Sequence, residues 1–195
     1  MKKIDVKKMA VVGILSAISI ILSLTPIGNI PIGALNITTM HIPVIIGAIL
    51  EGPVVGIIIG LIFGVTSLVR ALTMPTLTNF VLLNPLVSIF PRILIGIVAY
   101  YVFKIVLKAS KKVSIASWAS GITASLVNTI GVLGMIYLLY ADMYAQAFAE
   151  MTGEAFKAAS VILLGTFFTN GIPEAIVGGF IVSSVCTILY PELYN

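Results

Sequence analysis

Charge is what this chain has least of. Its 195 residues include 11 Lys and Arg and seven Asp and Glu, so 9% are charged while 59% are hydrophobic. The mean hydropathy is +1.18. Soluble domains carry about 25% charged residues, and the ionic groups here are too few to coat a surface facing water. A water-soluble globule is excluded, and an integral membrane protein is implied. Cysteine occurs once, at Cys186, which excludes an intramolecular disulfide framework and most cysteine metal sites. Cys186 lies in an apolar run and reads as a small packing residue. His41 is the single histidine, which limits metal chemistry, and no metal or cofactor is expected. The sequence contains no GxxxxGK[ST], HExxH or GxSxG, so neither a P-loop ATPase nor a motif-bearing hydrolase is present. An inverted repeat of the kind found in secondary carriers is also missing.

Long apolar runs fill the space those absences leave. A helix needs about 20 residues to cross a hydrocarbon core of about 30 Å. Proline, glycine and charge divide the chain into six candidate spans, at residues 9–24, 37–50, 54–72, 81–107, 113–140 and 159–189. A turn-rich loop, "TPIGNIPIGALN", separates the first two spans, and "EGP" marks a tight turn before the third, since proline suits a first helical turn. The expected architecture is an all-α, six-helix membrane bundle forming one domain over residues 1–195. The apolar run after Lys8 exceeds a secretory h-region and lacks a small-residue cleavage pattern, so a membrane span is expected there rather than a leader.

The cations orient the bundle. Lys2, Lys3, Lys7 and Lys8 precede the first span, and Lys104, Lys108, Lys111 and Lys112 cluster between the fourth and fifth. With six spans both groups fall on one face, which holds eight of the 11 basic residues. The opposite loops hold Arg70 and Lys157 beside Asp142, Glu150 and Glu154. The excess of Lys and Arg marks the cytoplasmic side, so both termini are expected in the cytoplasm. The net charge of +4 is thus an orientation signal, and no nucleic-acid partner is expected.

Two stripes of small residues stand out. Gly52, Gly56, Gly60 and Gly64 recur every four residues through "GPVVGIIIGLIFG", where missing side chains let a neighbouring backbone come close. Packing inside the bundle is favoured over a dimer interface. Ala10, Gly13 and Ala17 form a second smooth stripe on the first span.

The polar residues inside the oily runs are the candidates for function. An ionisable group near the middle of a bilayer costs about 2.5–3.5 kcal/mol on insertion scales. Arg92, in "NPLVSIFPRILIGIVAYY", stands about ten residues into the fourth span, hence about 15 Å deep at 1.5 Å per residue. Glu174, in "NGIPEAIVGG", lies at a similar depth in the sixth span, so the two are candidates for a pair. His41, Asn84, Ser88, Ser125, Asn128, Thr129 and Asn170 lie at comparable levels, several of them beside Pro85, Pro91 or Pro173. A proline frees a backbone carbonyl, and irregular backbone at membrane depth is tolerated where it lines a cavity. One polar pocket open to the outside is expected, built mainly from the fourth to sixth spans. A guanidinium there suits a carboxylate or phosphate, because it offers a planar fork of donors and keeps its charge. The competing bland reading is that Arg92 and Glu174 only neutralise each other, that His41 is interfacial and that Asn84 caps its helix.

This layout resembles the substrate-binding (S) components of energy-coupling-factor (ECF) vitamin transporters of bacteria. The resemblance covers essentially the whole chain and rests on "TTMHIPVIIGAILEGPVVGIIIGLIFGVTSL" followed by "NPLVSIFPRILIGIVAYY". It implies a vitamin-capture subunit of the cell membrane, working with a transmembrane coupling subunit and two cytoplasmic ATPases. Arg92, Asn84, Asn128, Asn170, Glu174, His41 and Ser88 become the candidate vitamin contacts. Ala10, Gly13 and Ala17 become the candidate contacts to the coupling subunit, although Ala10 is followed four residues later by Ile14. The HIP…Pro-Arg pattern is most similar to the pantothenate branch, with a B6 vitamer or a hydroxymethylpyrimidine as runners-up. Residues 25–36 and 142–157 are the candidate lids. Two other classes compete, an assembly subunit without ligand and an intramembrane enzyme using His41, Glu51 and Glu174. Glu51 and His41 would stand about 15 Å apart at opposite ends of one helix, which defeats joint chemistry.

Overall fold

The structure is a computed structural model that describes residues 6–32, 35–74, 77–153 and 155–194. Lys2, Lys3 and Glu154, and residues 33 and 34 of the first candidate lid, lie outside the described residues. Helix α1 spans Val6–Leu24 and is followed by a 3-10 turn at Pro26–Gly28. An antiparallel hairpin comes next, β1 (Asn29–Ile32) and β2 (Leu35–Thr38), with Asn29 opposite Thr38. The remaining helices are α2 (Ile42–Glu51), α3 (Pro53–Thr73), α4 (Pro85–Ser88), α5 (Phe90–Ser110), α6 (Val113–Thr152), α7 (Ala159–Thr166) and α8 (Ile172–Tyr194). Among the described residues the fold is thus nearly all helical. Among the described residues, four segments are long and apolar enough to cross a membrane: Pro53–Thr73, Pro85–Ser110, Val113–Thr152 and Ala159–Pro191. Two shorter apolar helices, Lys8–Leu24 and Ile42–Glu51, complete the set.

Helix α2 occupies the centre. Every residue from Ile42 to Leu50 is buried, and α1, α3, α5 and α8 surround it. A helix apolar on all sides belongs in such a place. Its ten residues reach only about 15 Å, so it is shorter than the span expected at residues 37–50. Ile37 pairs in the hairpin instead.

The glycine stripe on α3 packs inside the bundle. A Cβ at Gly56 would stand 2.9 Å from Gly96 Cα, and one at Gly64 would stand 2.8 Å from Ser88 O. A Cβ at Gly60 would collide with the carbonyl oxygen of Arg92. The same device joins α6 to α8, where a Cβ at Gly121 would lie 2.8 Å from Gly179 Cα. Gly52 differs: its φ of +98° makes the two-element turn between α2 and α3, a conformation in which side chains are strained. Outside, Ile14, Val65, Ile105, Leu138, Phe168 and Phe180 are exposed, as lipid-facing positions would be.

Three spans depart from the straight helices expected of them. Between residues 81 and 107 the chain runs through a 3-10 turn (Asn79–Leu83) and then α4, and it restarts as α5 beyond Ile89. Helix α6 continues past the expected end at Tyr140, where the backbone kinks (φ −140°, ψ 18°), and reaches Thr152. Most of the second candidate lid is therefore helix, because "ADMYAQAFAEM" is rich in good helix formers. Gly153, at φ +68°, ends it. In the sixth span a π-helical turn at Phe167–Gly171 separates α7 from α8.

The two ends of the bundle are distinguishable. Lys8, Glu51, Pro53, Lys104 and Tyr190 line one hollow of about 530 Å³, so the start of α1, the α2–α3 turn and the end of α8 lie together. Thr38, the end of α3 and the starts of α5 and α8 lie at the other end.

Candidate functional site

Three helices begin with the same local pattern. Proline is the second residue of α2 (Ile42-Pro43), of α5 (Phe90-Pro91) and of α8 (Ile172-Pro173). At a helix start its missing N–H is one that needs no intrahelical acceptor, while at α8 the proline follows a π turn in which Ile172 N donates to Phe167 O. Each restart carries an ionisable neighbour: His41 just before α2, Arg92 in the first turn of α5 and Glu174 in the first turn of α8. The straight helix along which the depth of Arg92 is counted is interrupted at Ile89. Arg92 instead stands 18 residues, about 27 Å, from Ser110 at the far end of α5.

Arg92 is 7% exposed. One terminal nitrogen, Nη1, donates to Val87 O at 2.7 Å, and the guanidinium carbon stands 5.4 Å from the centre of the Phe63 ring. Its Nε is buried with no protein partner. Glu174 is also buried, but it forms no direct ion pair with Arg92 among the described residues. Its carboxylate accepts from Thr38 Oγ1 at 2.6 Å and, at 3.4 Å, from Thr38 N. The other neighbour is His41, whose Nδ1 lies 3.3 Å from Glu174 Oε1 without hydrogen-bond alignment. His41 is fully buried rather than interfacial, and its Nε2 lies 2.7 Å from Ser125 Oγ.

Serine, histidine and carboxylate thus stand in the order of a hydrolase relay. Ser125, however, is 0% exposed and borders neither polar hollow, so a substrate carbonyl has no approach to its oxygen. Glu51 lies at the opposite end of α2. What the chain of contacts does is hold Glu174 in place.

Two polar hollows meet at Arg92. One, of about 240 Å³, is lined by Thr38, Asn128, Thr129, Asn170 and Glu174 as well as Arg92. The other, of about 300 Å³, is lined by Ser23, Ser67, Arg70, Asn79 and again Thr38, Asn128 and Arg92. A third hollow, of about 430 Å³ around Gly134, Tyr137 and Phe167, is walled almost wholly by apolar side chains and carries no charged group. The structure therefore brings together Arg92, Asn128, Asn170 and Glu174, with His41 supporting Glu174 from behind.

Asn84 and Ser88 do not join them. Asn84 Oδ1 caps α4 by accepting from Leu86 N at 3.0 Å, and its Nδ2 donates to Tyr140 OH at 3.1 Å beside the kink in α6. Ser88 Oγ donates to Asn84 O at 3.1 Å. The break at Ile89 separates these groups from the first turn of α5, which explains their different use. Thr38, Arg70 and Asn79 were the residues sequence reasoning passed over. Arg70 had entered only the loop-charge count, and the polar run "NITTMH" was the available signal for Thr38. Ala10, Gly13 and Ala17 are all exposed on α1, and a Cβ at Gly13 would meet nothing within 4 Å.

Comparison with known proteins follows the same lines. A family model described as "ECF transporter, substrate-specific component" matches residues 7–189. The chain is 29% identical over 207 residues to the pantothenic acid transporter PanT of Lactococcus lactis subsp. cremoris, covering 97% of this chain and 96% of that one. It is 28% identical over 173 residues to the pantothenate transporter PanT of Leuconostoc mesenteroides subsp. mesenteroides, covering 85% and 82%. Its fold matches a solved structure of ThiT from Listeria monocytogenes with a TM-score of 0.60 at 20% identity, over 97% of both chains.

Proposed function

Because the chain belongs to the ECF transporter family of substrate-specific components, we propose that it captures pantothenate outside the cell and delivers it inward. It is a vitamin-binding transport subunit of the membrane and not an enzyme. In this reading six segments, α1 and α2 among them, build the membrane domain, and both termini face the cytoplasm of the cell it serves. The basic residues Lys8, Lys104, Lys108, Lys111 and Lys112 support that orientation through the positive-inside rule. Energy comes from partners, a transmembrane coupling subunit and two cytoplasmic ATPases, since the chain itself has no nucleotide motif. The hairpin ending in Thr38 serves as the lid over Glu174.

The observation that carries the reading is Arg92. A buried guanidinium with one protein acceptor among the described residues, bordering two polar hollows, has donors left for an anionic ligand. Support for pantothenate among the vitamins comes from its carboxylate and from the two PanT relatives. Thermal-shift screening of the detergent-solubilised protein against water-soluble vitamins tests it. Pantothenate is expected to stabilise by about 2.7 kcal/mol at a hundredfold excess over its dissociation constant. A shift with a B6 vitamer or hydroxymethylpyrimidine in its place would overturn the substrate, and no shift with any vitamin would overturn capture itself.

Helix α1 supplies a second test. Gly13→Leu together with Ala17→Leu changes only exposed positions, so the variant folds and binds pantothenate with unchanged affinity. Uptake by cells is expected to fall to background, because the bulky pair prevents close approach of the coupling subunit. Normal uptake by this variant would remove α1 from the docking surface.

A further inference from the structure

The two hollows beside Arg92 offer opposite chemistry to whatever fills them. The smaller presents an acceptor-rich wall, with the Glu174 carboxylate beside Asn170 and Thr129. The larger has no carboxylate among its described lining residues and presents Arg70, Asn79, Ser67 and Ser23. Ser23 Oγ is buried there without a protein partner. Thr38, Arg92 and Asn128 border both, so the hollows adjoin across these three side chains. Asn128, at that divide, has a buried Oδ1 with no protein partner.

Resting on the assignment of pantothenate, we infer that the ligand lies across Arg92 with a fixed polarity. Its carboxylate sits in the larger compartment between Arg70 and Arg92, and its hydroxyl end sits beside Glu174 and Asn170. The charges decide the direction. A ligand carboxylate next to Glu174 would meet a like charge in surroundings that screen poorly. Hydroxyl groups instead donate to Glu174, whose two oxygens have lone pairs beyond those used by Thr38. Arg70 lies in the last turn of α3, where the helix end favours a cation before any ligand arrives. Two guanidinium groups facing one carboxylate give the charge-assisted, forked contacts that select it over a neutral group. The amide in the middle of the ligand then falls at Asn128. Arg70 is on this view a specificity-determining residue, reading the carboxylate.

The test is a titration of the wild type and three variants with pantothenate and with its primary-alcohol analogue, in which CH2OH replaces the carboxylate. Arg70→Gln is expected to weaken pantothenate by about 10- to 100-fold, the range for a lost hydrogen bond to a charged group, and to leave the alcohol within about twofold. Asn79→Asp, which sets a like charge in the same compartment, produces the same selectivity and stands in should Arg70→Gln fail to fold. Glu174→Gln weakens both ligands by similar factors. Equal losses for the two ligands in both Arg70→Gln and Asn79→Asp would overturn the polarity alone. So would a Glu174→Gln protein that binds pantothenate more tightly than wild type. A wild-type protein that binds neither compound would remove the pantothenate assignment and the polarity together.

Discussion

Arg92→Ala lowers pantothenate affinity by about a hundredfold or more and leaves the unliganded protein as stable as before, or more so. Each hydrogen bond to a charged group contributes about 1.5–3 kcal/mol, and each 1.4 kcal/mol is a factor of ten. Two such bonds to a ligand account for the loss. The stability half of the prediction is the more discriminating. Among the described residues of the free protein, Arg92 makes one side-chain hydrogen bond, to Val87 O, and its Nε has no partner. Holding an incompletely paired charge out of water is unfavourable, so removing it relieves a cost. Were Arg92 structural glue, alanine would instead lower stability by about 3–5 kcal/mol, as breaking a well-made buried pair does. Arg92→Lys keeps the charge and loses the planar fork, and its affinity falls by about tenfold. Calorimetric titration and thermal melts of the three proteins decide the matter.

Gly60→Ala has the second large effect, and it reaches the site through the backbone. A methyl group at Gly60 runs into the carbonyl oxygen of Arg92. The neighbouring contacts leave no slack, since a Cβ at Gly56 or Gly64 would also come within 2.9 Å of Gly96 Cα or 2.8 Å of Ser88 O. Helix α3 must lift off α5, at a cost of about 1–3 kcal/mol for overpacking and more where backbone meets backbone. Because the displaced atom belongs to Arg92, affinity for pantothenate falls along with stability. Gly60→Val is expected to leave no folded protein. Gly165→Ala is the control, since a Cβ there meets nothing within 4 Å. Its stability is unchanged or raised by up to about 1 kcal/mol, the helix-propensity difference between alanine and glycine. Equal melting temperatures for Gly60→Ala and Gly165→Ala would contradict the role given to the stripe.

The helical character of the chain and the starts of α3, α6 and α7 were legible in its residues. "EGP" marked the α2–α3 turn, and the Lys111–Lys112 pair marked the gap between α5 and α6. The glycine stripe correctly implied packing within the bundle. What the residues hid were the breaks. Hydropathy stays high enough across Ile89 and Phe167 for a continuous span, so the interruption of α5 and the π turn before α8 are invisible to it. The prolines signalled that the backbone was irregular without saying how. The extension of α6 to Thr152 was missed for the converse reason, since polarity was read as loop where propensity favoured helix. At the site, Arg92, Asn128, Asn170 and Glu174 were recognisable because polar groups are costly in an apolar span. Thr38 and Arg70 sit near helix or strand ends, where polar residues need no special explanation, and only the packing of the hairpin and α3 against α5 brings them to the hollows. The pairing of Arg92 with Glu174 looked natural from depth alone. In the fold Glu174 turns to Thr38 and His41, leaving the guanidinium with donors to share.

A structure of the protein with pantothenate bound tests the account most directly. The prediction is that ligand oxygens lie within hydrogen-bond reach, about 2.7–2.9 Å, of Arg92 nitrogens, with Val87 O still bonded to Nη1. A vitamin bound elsewhere, with Arg92 contacting only protein atoms, would contradict it.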